Sequence, residues 1–515
     1  MQTGPPTSRF ALVHHALPLI SRNTDERLYN RDENKMQPWR RLILLSIGLT
    51  FLLILSWVQF SGSVNPFAII QGPTRSKQNP GDSVLDYGDD SAFTMDDVQP
   101  PKLELDDNVE HWNMHQLSEM YACAAGNGTT PCHPNREKII LLASGDTKFG
   151  LWYGWRRGES IWGEAMFREF YDLGYTVLVT EGWAEAPFLY KLYGPQIQIV
   201  VGERPGKCIY NPQCVKSTEN PDGIPVWKIF DMNYFPKLDW FGTPTDATPL
   251  GGPWIATAVD NGPDYPYQYI GYSIEESCLA QTPLPASQRE NRVYILMKEL
   301  AFAHFATAWE PSYYARAATD LGIKFVAGYG DDPKFKPGGQ DRPVGGWKDI
   351  EEPGKVENLG GMGREDFLRE LGKSRLLLGV GMPNWSPSPY DALCLGVPFL
   401  NPVRYFDQSD PDNQTKWETQ HPEITRLGPG PPYVYTVHAR DYKGFVEAIQ
   451  KALATPIERY IAPHMKREAF RQRLINWAET DWKAKAEELD QVGWRKKAVD
   501  LHREKGETLN IDFVF

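Results

Sequence analysis

From Lys138 onward the chain alternates short apolar runs with amphipathic stretches, and this alternation restricts the fold more than any other feature. "KIILLASG" (138–145) reads as a strand ending in glycine, "ESIWGEAMFREFYDLGY" (159–175) as a helix stopped at Gly174, and "TVLVTE" (176–181) as a strand again. After an irregular, aromatic middle (205–290), a second series runs through "VYILMK" (293–298), a helix across 311–322, "IKFVAGYG" (323–330), a helix across 364–374, "RLLLGVG" (375–381) and "VPFLNP" (397–402). Strands joined through helices pair in parallel and need helices on their faces. The pattern therefore predicts an α/β protein with two Rossmann-like domains facing across a cleft, at 116–290 and 291–455. A helical tail over 456–515 carries Trp477, Trp482 and Trp494.

The remaining segments are set by composition. At 515 residues the chain exceeds one ordinary core, and 41% hydrophobic residues are enough to fill two. Its net charge of −12 comes without a concentrated basic face, which argues against nucleic acid as a partner. Leu42–Phe60, "LILLSIGLTFLLILSWVQF", is uncharged and long enough for a helix of about 20 residues to cross a bilayer. Arg31, Lys35, Arg40 and Arg41 precede it, and the next charge is Arg75, a bias that keeps 1–41 cytosolic and sends the rest across the membrane. A cleaved signal is the rival, but its charged region would be far longer than usual. Residues 61–115, acidic and rich in Pro, Ser and Gly, read as a disordered stem whose paired acids are solvated charge.

All six cysteines lie beyond the predicted anchor, as expected where disulfides persist. Cys123 and Cys132, and Cys208 and Cys214, are close enough to suggest local pairs, although spacing leaves connectivity open. Asn127 (N-G-T) and Asn413 (N-Q-T) are expected glycosylation acceptors; Asn384 (N-W-S) lies inside the motif considered next.

Residues 379–403 read "GVGMPNWSPSPYDALCLGVPFLNPV", a strand end crowded with turn residues, a short helix with one early acid, and a new strand at once. Ligands of parallel sheets sit beyond the carboxyl ends of strands, where the following helices point their N-termini. Gly379 and Gly381 would let backbone approach a ligand, and Pro389 suits a first helical turn. Free N–H groups at that helix start favour a phosphate. Asp391 either reaches a sugar hydroxyl, as a nucleotide's ribose would offer, or simply complements the helix dipole.

"REDFLRELGKSRLLLGVGMPNWSPSPYDALCLGVPFLNPV" resembles the donor-binding segment of glycosyltransferase family 18, the α-1,6-mannosylglycoprotein 6-β-N-acetylglucosaminyltransferases. The likeness rests on Gly379, Gly381, Pro383, Pro389, Ala392, Gly396, Phe399, Leu400, Asn401 and Pro402. "RRGESIWGEAMFREFYDLGY" (156–175), "LDWFGT" (238–243) and "TQHPEI" (419–424) support it in the same order. Departures are Asp391 for the family's Glu, Ser386 and Ser388 for Gly and Ala, and Tyr390 for Leu.

The resemblance implies a GT-B fold, UDP-N-acetylglucosamine as donor, an N-glycan mannose as acceptor, inversion at the anomeric carbon and no required metal or other cofactor. It implies Golgi residence as a type II membrane protein. It places the catalytic base at Glu159 and a ribose-binding carboxylate at Asp391. Glu159 otherwise reads as an ordinary first-turn acid, with Glu164 and Glu181 as alternatives. Lys298, at the end of a predicted strand, either stabilises a leaving diphosphate or is a surface lysine. Trp240 and Phe241 either stack on a sugar or belong to the core. A GT-B transferase with another nucleotide sugar or acceptor, and a non-catalytic glycan-binding membrane protein, remain open at this level.

Overall fold

In the computed structural model, residues 104–126, 132–155, 157–234, 249–260, 262, 267–298, 302, 308–330 and 356–491 are described. The expected cytosolic tail, the anchor at 42–60 and most of the expected stem lie outside them. Among the described residues, no helix is long and apolar enough to cross a membrane.

Two sheets organise the chain. The first contains β1 (Ile139–Ala143), β2 (Thr176–Thr180), β3 (Ile197–Gly202), β4 (Ile229–Asn233), β5 (Ile255–Thr257) and β6 (Gln268–Tyr269), in the order β2-β1-β3-β4-β5-β6. All its pairings are parallel. Residues 139–143 and 176–180 are buried without alternation, as strands covered on both faces must be.

The second sheet contains β7 (Arg292–Ile295), β8 (Lys324–Ala327), β9 (Val356–Asn358), β10 (Leu376–Leu378), β11 (Phe399–Tyr405), β12 (Glu418–Thr419) and β13 (Val434–His438). Its parallel strands run β13-β11-β10-β7-β8-β9, with β12 antiparallel at the far end of β11. Counted within this half, the order is that of a dinucleotide-binding sheet, and it reverses direction between β7 and β10.

One boundary differs from the sequence expectation. The expected stem ends at 115, but a helix already runs Val109–Ala124, capped by Asn108, whose side chain accepts from the His111 N–H at 2.9 Å. Trp112 is its anchor: the ring is buried and its Nε1 donates to the Val177 carbonyl at 2.9 Å, while Asn113 brackets Val179 with two hydrogen bonds. The acidic residues before it disguise the helix start.

The tail helices Arg467–Glu479 and Trp482–Gln491 pack back onto the first sheet. Trp477 meets Phe230 edge-on at 5.3 Å, Trp482 meets Trp254 at 5.1 Å, and Arg467 and Arg471 both bind the buried Glu169. Trp494 lies outside the described residues.

Three disulfides form: Cys123–Cys132, Cys208–Cys214 and Cys278–Cys394. The third joins the irregular middle to the helix Ser388–Cys394, a pairing that spacing did not suggest.

Candidate functional site

A sheet whose order reverses opens a crevice beyond the carboxyl ends of the strands flanking the reversal. Here those strands are β7 and β10, followed by Leu296–Lys298 and by the turn from Gly379 into the helix Ser388–Cys394. The turn is held by the protein itself. The Gly379 N–H donates to Leu400 O at 2.9 Å, and Trp309 Nε1 donates to Gly379 O at 2.7 Å. Gln420 accepts from the Gly381 N–H and donates to Pro383 O, both at 2.9 Å. Trp385 N donates to Gln420 O at 3.3 Å.

The two glycines therefore serve different needs. Gly381 has φ +111°, where a side chain is strained, whereas a Cβ at Gly379 would stand 2.4 Å from Gln420 Oε1 and 2.8 Å from Pro402 Cδ. Gly379 makes room for the protein's own loop. Gln420, in "TQHPEI", organises that loop, and its neighbour His421 is kept neutral by burial, which lowers its pKa to about 3.

Asp391 lies one turn into the Ser388–Cys394 helix, behind the buried Pro389. Its carboxylate is buried, with both oxygens taken by Arg364: Nη2 donates to Oδ1 at 2.8 Å and Nη1 to Oδ2 at 3.1 Å. Burial pushes the Asp391 carboxyl up, and the guanidinium opposes that shift. Arg364 opens the helix Arg364–Gly372, which descends from the same carboxyl edge, so two neighbouring helix starts supply the pair. Next in sequence, Tyr390 donates to the buried Glu423, which also accepts from the Asp260 N–H at 2.9 Å and so ties the Ser388–Cys394 helix to the first half.

Glu159 is the second residue of the helix Gly158–Asp172 and is half-buried. Desolvation raises its pKa, Asp146 adds to the rise, and Arg157 and Lys298 oppose it. Lys298, exposed just past β7, is therefore within electrostatic reach of Glu159 although the two belong to different halves.

One tyrosine joins these pieces. Tyr234, at the end of β4, packs so closely on the helix start that a Cβ at Gly158 would lie 2.9 Å from its Cζ. Its hydroxyl donates to Trp385 O in the turn after β10 at 3.2 Å. The start of the Glu159 helix and the loop after β10 thus share a single side chain.

Other expected residues fall elsewhere. Glu164 pairs with Arg168 at 2.9 Å and Glu181 with Lys148 at 3.0 Å, so both alternatives to Glu159 already hold cations. Asn413 is half-exposed and caps the turn Gln414–Lys416. Trp240, Phe241 and Asn127 lie outside the described residues. Among the described residues no group of three or more His, Cys, Asp or Glu side chains is placed to hold a metal.

Two further acids, one half-buried and one buried, were not singled out from the sequence. Glu203 follows β3 and accepts from Ser144 Oγ at 2.5 Å, and Asp231 sits in β4. Desolvation raises both to about 7; Asp146 adds to the rise at Glu203, and Glu203 to the rise at Asp231. They close the carboxyl edge of the first sheet. A hollow of about 300 Å³ beside Tyr190, Lys216 and Lys228 lies at the opposite, amino edge of β3 and β4; Lys228 there donates to Gly194 O and Ile197 O, a structural role.

The turn after β10 lies within a segment that matches a known family. Residues 347–487 match the model of Glycosyltransferase family 18. The human "Alpha-1,6-mannosylglycoprotein 6-beta-N-acetylglucosaminyltransferase A" is 28% identical over 136 residues, and its rat counterpart equally so. The match covers 25% of this chain and 18% of either relative, so the chain aligns with under a fifth of their length. Among solved structures, UDP-N-acetylglucosamine 2-epimerase from Rickettsia bellii shares 11% identity over 69% of this chain and 99% of its own, with a TM-score of 0.37. A likeness that slight carries no weight for fold or function.

Proposed function

We propose that this protein is an inverting glycosyltransferase of GT-B architecture, moving N-acetylglucosamine from UDP-N-acetylglucosamine to the 6-hydroxyl of an α-mannose of an N-glycan. The observation that carries the reading is the juxtaposition at Tyr234, which joins the start of the Glu159 helix to the loop at the reversal point of the second sheet. The family match over that same half, and the names of the relatives, support transfer of this sugar.

In this reading the nucleotide lies beyond β7 and β10. Its ribose meets Asp391, whose oxygens each keep a lone pair after binding Arg364. Glu159 accepts the proton of the acceptor hydroxyl as that oxygen bonds to the anomeric carbon. The bond from that carbon to the β-phosphate oxygen breaks on the opposite face, and its electron pair leaves with UDP. Lys298, which acts electrostatically on Glu159, offsets the charge that develops on the diphosphate, in place of a metal. Leu42–Phe60 anchors the protein as a type II Golgi membrane protein with the two sheets lumenal.

The experiment is a donor screen. Full-length protein is incubated with a panel of UDP- and GDP-sugars, with and without a biantennary N-glycan, and the Glu159→Gln variant is run beside it. Transfer from UDP-N-acetylglucosamine that disappears in the variant supports the reading. Turnover with a different sugar alone selects another transferase activity, and glycan binding with no turnover of any donor refutes the enzyme.

A further inference from the structure

We infer that Arg364 is a ligand of the donor's diphosphate, held ready for it by Asp391. The inference rests on the donor site proposed above and assigns a residue that the sequence pattern left unremarked. A guanidinium carries five N–H donors in a flat fork. Two are spent on Asp391, and among the described residues Arg364 makes no other hydrogen bond, so three remain.

The place of those donors is defined by their neighbours. Asp391 backs one edge of the fork and is itself buried, while the Arg364 side chain keeps 24% of its surface exposed. The other groups that act on the guanidinium are Tyr272 and Glu164, both from the first half of the chain. Glu164 is on the Glu159 helix, and Asp391 is on the donor helix. Arg364 therefore stands where the two halves meet, beside the crevice and not on an outer face.

This construction suits an anion better than a purely structural role. A buried ion pair adds little stability on its own, because desolvation offsets its attraction. A guanidinium fixed along one edge by a carboxylate has already lost its side-chain freedom, so binding with the other edge costs less entropy. The planar fork matches two phosphate oxygens at once, which an ammonium such as that of Lys298 does not. Asp391 cancels the charge of Arg364, so the negative charge of a diphosphate calls for a further cation. Lys298, past β7 on the other side of the reversal, supplies one.

The test compares UDP with uridine, which share base and ribose and differ in the diphosphate. Full-length wild type and Arg364→Gln are titrated calorimetrically with each. Loss of a charge-assisted contact should weaken UDP about 10-fold or more and leave uridine within about 2-fold. Arg364→Lys should recover only part of the UDP affinity. Equal UDP affinity in wild type and Arg364→Gln overturns the inference while the donor site stands, and so does an equal proportional loss for UDP and uridine, which marks a structural defect. If wild type binds no UDP, the donor site and this inference fall together. Should Arg364→Gln fail to fold because it leaves Asp391 buried and alone, the same change is made in an Asp391→Asn background. It is then compared with Asp391→Asn itself, with the same expected and overturning results.

Discussion

Gly379 offers a test of whether the turn after β10 is shaped by the protein or by a ligand. In Gly379→Ala the new methyl would stand 2.4 Å from Gln420 Oε1, 2.8 Å from Pro402 Cδ and 2.9 Å from Leu400 O. Two of those atoms belong to a proline ring and a strand carbonyl and cannot swing away. The third belongs to Gln420, which could move only by giving up its hydrogen bonds to Gly381 N and Pro383 O. Overpacking costs about 1–3 kcal/mol, and each hydrogen bond lost adds about 0.5–1.5 kcal/mol, so a net loss of about 3 kcal/mol is expected. For a unit the size of the second half this lowers the melting temperature by roughly 6–12 °C. Thermal unfolding followed by circular dichroism reads the stability, and UDP titration of the still-folded variant reads the site. A variant that melts within about 1 °C of wild type yet has lost UDP binding would refute the packing argument and return Gly379 to the role of a backbone approach for ligand.

The other predictions concern the base, the long disulfide and the tail. As the proposed base, Glu159 must be deprotonated to accept a proton, and burial raises its pKa, so kcat/KM should fall on acidification through a value above the usual one for glutamate; Glu159→Gln should lose turnover while keeping UDP affinity, and a pH profile unchanged by the substitution would remove Glu159 from the mechanism. Cys278–Cys394 closes a separation of 116 residues, worth about 5 kcal/mol by loop entropy; replacing both cysteines by serine should lower the urea midpoint and leave a smaller shift on adding reductant than wild type shows, because only the two short-range disulfides remain to be reduced. Trp477→Ala should cost about 3–5 kcal/mol and loosen the first sheet, because Phe230 and Phe170 lose the ring they pack on. Proteolysis that released the tail helices without destabilising β1–β6 would contradict that last expectation.

The strands and helices were legible because burial leaves a periodic mark: "IILLA", "TVLVT" and "LLL" are apolar without alternation, and each is a parallel strand covered on both faces. The reversal point was partly legible, since the glycines and prolines after Leu378 announce a turn at a carboxyl edge. What the pattern does not carry is the partner of a single polar side chain. Asp391 stood out as an early acid, but nothing in its neighbourhood points 27 residues back to Arg364, and Tyr234 and Trp385 meet across 151 residues through one hydroxyl. Periodicity states which face of an element is buried; it is silent on which element lies opposite, and a functional site is made of those opposites. The helix Val109–Ala124 shows the same limit from the other side. Its acidic approach matched a stem by composition, yet Trp112 binds it to β2, because the fate of a segment follows the contact made by its one large apolar side chain and not the average of its neighbours. The site thus rests on a few singular residues at element ends, Tyr234, Arg364 and Gln420 among them, and substitutions at these positions separate a role in holding the two halves from a role in binding the donor.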